Sequence, residues 1–113
     1  MIEEYHFGSI TINGKTYNSD VIVNWKEEVF SWQREESHII DAKDVKSAID
    51  QNPEVIVVGT GEAGIAQLTD TARQAICEKG IKLVVEKTGE AKEIFNKYLK
   101  EGKKVIGLFH LTC

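Results

Sequence analysis

The sequence predicts a single α/β domain of three layers: an antiparallel β layer at the N-terminal side, a central sheet built on a parallel βαβαβ unit, and a helical layer. Three observations carry that prediction. Three apolar, β-branched-rich runs alternate with two amphipathic helical patterns after residue 53. Before it, apolar residues alternate singly around an Asn-Gly pair. The chain has 113 residues, which suits one domain, 1–113, and leaves no room for a second.

The first half reads as β structure. Ile10 and Ile12 alternate before Asn13-Gly14, a favoured two-residue hairpin turn, and Thr16 and Tyr17 follow it. Val21, Val23 and Trp25 share one strand face, and Phe30 and Trp32 mark a further strand beyond the polar Lys26-Glu27-Glu28 break. Asp41 is placed as a helix cap for a short helix through Val45, Ala48 and Ile49, ended by Asn52-Pro53 because a residue before proline avoids the α region.

In the second half, Glu54 to Val58, Ile81 to Val85 and Val105 to Phe109 read as strands buried on both faces. Leu68, Ala72, Ala75 and Ile76 define one helix before Gly80. Ala91, Ile94, Phe95, Tyr98 and Leu99 define another before Gly102. Right-handed crossovers then make the three strands parallel and are expected to lay both helices on one face. The hairpin and the Trp-bearing strands are left to cover the other.

Composition narrows the function. With 14 basic and 18 acidic residues the formal charge is −4, which disfavours nucleic acid and anionic membranes as partners. Residues 1–52 carry 5 basic and 10 acidic groups and 53–113 carry 9 and 8, so the only basic surface is Lys92, Lys97, Lys100, Lys103 and Lys104. That stretch reads as a solvated helix face. No apolar run approaches the ~20 residues of a membrane span, and Met1 to His6 has no targeting character, so a cytoplasmic setting is expected. Cys77 and Cys113 form no Cys-x-x-Cys pair. In a reducing compartment both are free thiols, and a Cys77–Cys113 bridge is the alternative for a thermophilic source.

Ligand sites of parallel sheets lie beyond the carboxyl ends of the strands. Three segments meet there: Gly59-Thr60-Gly61-Glu62-Ala63-Gly64, Glu86-Lys87-Thr88-Gly89 and His110-Leu111-Thr112-Cys113. Gly59, Gly61 and Gly64 spell G-x-G-x-x-G, and Glu86 follows Gly64 by 22 residues, the pattern of a dinucleotide fingerprint. Against it, the helix-start signal Thr69-Asp70 lies well past Gly64, and the chain holds one mononucleotide half and not two. A smaller anion on the Gly59 to Gly61 amides is the weaker form of the same reading. Glu62 and Glu86 are a candidate carboxylate pair if they meet across the strand ends. His110 and Cys113 lie an odd number of residues apart, so an extended segment points them to opposite faces. His6, His38 and His110 show no metal-ligand spacing, and neither metal nor cofactor is expected. Tyr5, Trp25, Phe30 and Trp32 read as core aromatics in preference to a partner-binding patch.

Gly59-x-Gly61 after an apolar strand, Gly80-Ile81, Thr88 with Ala91, Asn96, Gly102, Val105 and the ending Phe109-His110-x-Thr112-Cys113 together resemble the adipogenesis-associated domain family. Trp32, His38 and Asp44-Val45 extend the resemblance into the N-terminal part. The family joins small prokaryotic proteins, an animal protein linked to fat-cell differentiation and a mitochondrial assembly factor for respiratory complex I. The resemblance implies a three-layer fold with a mixed central sheet, no established reaction, and action through protein partners. It implies that the first two glycines matter and that Gly64 is incidental. The mitochondrial role is not carried over, since no presequence is visible.

The expected function is a non-enzymatic protein-interaction or assembly module, monomeric or weakly dimeric, with a small polar pocket formed by Gly59, Thr60, Gly61, Glu62, Glu86, Thr88, His110 and Thr112. The alternative is a nucleotide- or small-anion-binding protein or enzyme that uses the Gly59 to Gly64 loop.

Overall fold

The computed structural model describes residues 1–113. Strands β1 (Ile2–His6), β2 (Ser9–Ile12) and β3 (Lys15–Tyr17) form an antiparallel sheet in the order β1-β2-β3. Its second turn is the Asn13-Gly14 pair, with φ of 51° and 81°; both central residues of a type I′ turn need positive φ, which is why Asn-Gly is favoured there.

The central sheet has the order β5-β4-β10-β7-β9, from β4 (Val21–Val23), β5 (Val29–Ser31), β7 (Val55–Thr60), β9 (Lys82–Glu86) and β10 (Val105–His110). β7, β9 and β10 run parallel, and β4 lies antiparallel to β10, so the sheet is mixed. A two-residue parallel pairing joins β6 (Ile39–Ile40) to β8 (Gln67–Leu68). The helices are α1 (Ala42–Ile49), α2 (Asp70–Glu78) and α3 (Thr88–Lys100).

All six residues of β7 and of β10 are buried, and the alternation of side chains divides them between two cores. Ile56, Val58, Ile106 and Leu108 pack with Ala48 of α1 and with Ala72 and Ile76 of α2. Val55, Val57, Val105 and Phe109 pack with Ala91 and Phe95 of α3 and with Ile10 and Ile12 of the N-terminal sheet. Phe95 and Phe109 meet edge to face at 5.9 Å.

The three-layer α/β class and the mixed sheet with its parallel βαβαβ unit stand as expected. The expectation that the two crossover helices share a face is corrected, since α2 and α3 lie on opposite sides of the sheet. β7 to β9 is a step outward, whereas β9 to β10 steps back across β7. Two crossovers of one hand taken in opposite directions place their helices on opposite faces. α3 therefore sits beside the N-terminal sheet, and its Asn96 side chain pairs with both backbone groups of Ile2 at 2.9 and 2.8 Å.

The Trp-bearing strands are also relocated. β4 and β5 extend the central sheet instead of covering it, because Ile22 is buried on one face while Val21 and Val23 are buried on the other. Trp32 closes the first half onto α1, with its indole N–H donating to the Asp44 carbonyl at 2.9 Å. β9, read as buried on both faces, is an edge strand with exposed ends at Lys82 and Glu86.

Candidate functional site

The parallel register sets Gly59 beside both Phe109 and Glu86, so the three predicted segments do arrive at one edge. There they bind to one another. Thr88, fully buried, accepts the Gly61 N–H at 2.9 Å and donates the same hydroxyl to the His110 carbonyl at 2.6 Å. The Thr60 hydroxyl donates to the Glu86 carbonyl at 3.1 Å. The amides of Glu62 and Ile65 donate to the oxygens of Thr112 and Cys113 at 2.7 and 3.2 Å.

Gly61 has φ of 99°, and a Cβ there would lie 2.5 Å from the Thr112 oxygen, so only glycine fits this crossing. The loop amides an anion would need are thus largely taken up within the chain. α2 begins at Asp70 under its Thr69 cap, with β8 intervening after Gly64, so no helix N-terminus opens from the glycine motif.

The expected residues are spread over three clefts, two of which share Glu86, and Gly59, Gly61 and Thr88 line none of them. Glu62 and Glu86 line a cleft against α3 with Tyr5, Lys87, Glu90 and Glu93. Thr60 and Gly64 line a second cleft beside α2, where Glu86 and Lys87 also reach. His110 and Thr112 line a third with Asp20, Trp32 and Arg34. In the first, burial and then the neighbouring Glu62 carboxylate push the Tyr5 phenol well above its ordinary range, and its hydroxyl donates to the Leu111 carbonyl at 2.9 Å.

His110 is 2% exposed, and its partners were not visible in the sequence. Asp20 Oδ2 lies 2.8 Å from His110 Nδ1 and 2.8 Å from Arg34 Nη1, while Asp20 Oδ1 accepts the Leu111 N–H at 2.9 Å. A carboxylate that close requires the proton on Nδ1, which leaves the lone pair on Nε2, 3.4 Å from the Thr112 hydroxyl. The 3.1 Å approach of Arg34 Nη2 to Nδ1 is then proximity, since both atoms are donors; Nη2 donates instead to the Ser37 carbonyl at 2.8 Å. The Arg34 side chain is 3% exposed and stacks 4.2 Å from the centre of the Trp32 ring.

Both cysteines are free: Cys77 is exposed on the last turn of α2, and Cys113 is half-buried. The imidazole within hydrogen-bond reach of Cys113 belongs to His38, whose Nε2 is 3.4 Å from Sγ and whose ring meets His110 edge-on at 6.1 Å. Asp20 directly precedes β4, whose Val21 pairs with Phe109 of β10. That pairing is what brings Asp20 to His110, and only the sheet order could have revealed it. No cluster of three or more His, Cys, Asp or Glu has the arrangement of a metal site.

A mixed five-stranded sheet with an antiparallel sheet and α3 on one face, α1 and α2 on the other, and interlocked strand ends defines the class of the protein. A Bordetella pertussis protein described as an Mth938-like domain shares this fold with TM-score 0.79 and 18% identity, over 97% of this chain and 84% of its own. A conserved hypothetical protein of Pyrococcus horikoshii superposes with TM-score 0.91 at 22% identity, over 100% and 99% of the two chains. A structure described as MT938 gives 0.86 at 25%, over 100% and 98%. Residues 2–110 match the family described as protein of unknown function (DUF498/DUF598), and the chain belongs to that family. No helix is long and apolar enough to cross a membrane.

Proposed function

We propose that the protein is a non-enzymatic interaction or assembly module that docks a protein partner on the face formed by its strand ends. The observation that carries this reading is the position of its exposed apolar side chains. Four large ones are exposed: Phe7 (64%), Ile65 (47%), Phe30 (45%) and Ile39 (44%). Three of them border the segment that follows β10. Phe7 precedes Gly8, whose N–H donates to Leu111. Ile65 donates to Cys113. Ile39 follows His38, which touches the Cys113 thiol. Large apolar side chains left exposed near one another beside polar groups mark recognition surfaces, and aromatic side chains are enriched where partners meet.

Resemblance to the adipogenesis-associated domain family, whose better-studied members act through protein partners, supports the same reading. The polar residues of that face, from Gly59 to Glu62 and from Glu86 to Thr88 with His110 and Thr112, act in this proposal mainly by holding it in shape. The nucleotide or anion alternative is weakened by the internal use of the Gly61, Glu62 and Ile65 amides.

Affinity capture from native extract, beside a melting-shift screen with nucleotides and phosphate, separates the readings. The proposal expects a specific protein retained by the wild type, no melting shift with any anion, and a free protein that sediments as a monomer or weak dimer. A stabilising anion together with no retained protein overturns it.

A further inference from the structure

We infer that Cys113 and His38 form a reactive thiol–imidazole pair that undergoes exchange with disulfides, a covalent site that lies within the border of the docking surface proposed above and rests on its own geometry. The half-buried Cys113 sulfur lies 3.4 Å from His38 Nε2, within hydrogen-bond range for sulfur, so the exposed ring can take the thiol proton directly.

The imidazole is held in place from several sides. The His38 backbone carbonyl accepts the Gln67 N–H at 3.0 Å, and the carbonyl of the preceding Ser37 accepts from the Arg34 guanidinium at 2.8 Å. Its ring rests edge-on against His110, itself fixed by Asp20. Behind His110 lie the Arg34 guanidinium, whose buried Nε–H has no partner, and the Asp20 carboxylate that pairs with it. Cys77, by contrast, is exposed and has no imidazole against it. A thiol beside a base and partly shielded from water is the setting in which cysteines react selectively.

The step balances with a disulfide as co-reactant. His38 takes the Sγ proton, the thiolate attacks one sulfur of the disulfide, that S–S bond breaks, and a mixed disulfide forms on Cys113. The departing thiolate recovers the proton from His38.

Cys77 makes the test internal to the chain. The folded protein is treated with glutathione disulfide at one near-neutral pH, and the modified peptides are quantified over time by mass spectrometry. Exposure alone predicts that Cys77 reacts first. The pair predicts that Cys113 reacts first, by about tenfold, a modest share of the ~10² that a positioned base contributes. His38→Ala and His38→Gln, on an exposed residue, should leave the melting temperature unchanged and bring Cys113 to or below the rate of Cys77. Faster modification of Cys77 in the wild type, or an unchanged Cys113 rate in both His38 variants, overturns the inference.

Discussion

At the residue scale, one hydroxyl joins the ends of two parallel strands. Thr88 satisfies the Gly61 N–H and the His110 carbonyl at once, in a place closed to bulk solvent. Thr88→Val keeps the shape and orphans both groups, so urea unfolding should show a loss of about 3 kcal/mol, from two buried groups at roughly 1–3 each. Thr88→Ser should keep most of the stability. Tyr5 makes a different prediction. Its phenol titrates higher in the folded protein than in the unfolded chain, where it ionises near 10. Its contribution is therefore complete below about pH 10 and is lost as pH rises from there toward the folded value. Tyr5→Phe should lose less stability than the wild type between pH 9 and pH 11, measured by denaturant titration at each pH; parallel losses contradict the account.

At the scale of elements, Asp41 ties two helices together. It caps α1 with Asp44 as its capping-box partner, and its Oδ1 also accepts from Thr69 and Thr71 at 2.8 and 2.9 Å; Thr69 in turn caps α2. The Thr69 hydroxyl, the Ala42 N–H and the Thr71 hydroxyl hold its carboxyl below the usual carboxylate range. A depressed folded value means stability that is present above about pH 4, the unfolded value, and lost as pH falls through the folded one. Asp41→Asn should therefore lower the melting temperature at pH 7, with the gap from wild type closing on acidification.

Such local devices were legible in the sequence: the Asp41 and Thr69 caps, the Asn13-Gly14 turn and the three β-branched-rich strands all follow from neighbours in the chain. The face taken by α3, the antiparallel placement of β4 and the β6–β8 pairing were not, because each depends on the order of strands in the sheet. The Asp20, Arg34 and His38 partners of the strand ends were hidden for the same reason. Their contacts with His110 and Cys113 span 75 to 90 residues of sequence.

For the whole molecule, the parallel unit delivers three segments to one edge, and the first half of the chain then fills it. Asp20 and Tyr5 bind Leu111 and His110, and what remains outside is a border that carries the exposed Phe7, Ile39 and Ile65 together with charged side chains such as Glu62 and Lys87. In the proposed reading these apolar side chains are the anchors that a protein partner covers. The most direct measurement is the affinity of the captured partner for surface variants of the folded protein. The Phe7→Ser/Ile65→Ser double variant should weaken binding by tenfold or more, since truncating an apolar anchor at an interface commonly costs over ~1 kcal/mol. Phe30→Ser, on the edge strand β5 and away from that border, should leave it unchanged. Equal affinity for the wild type and the double variant, with its fold intact, would contradict the assignment of the strand ends as the docking face.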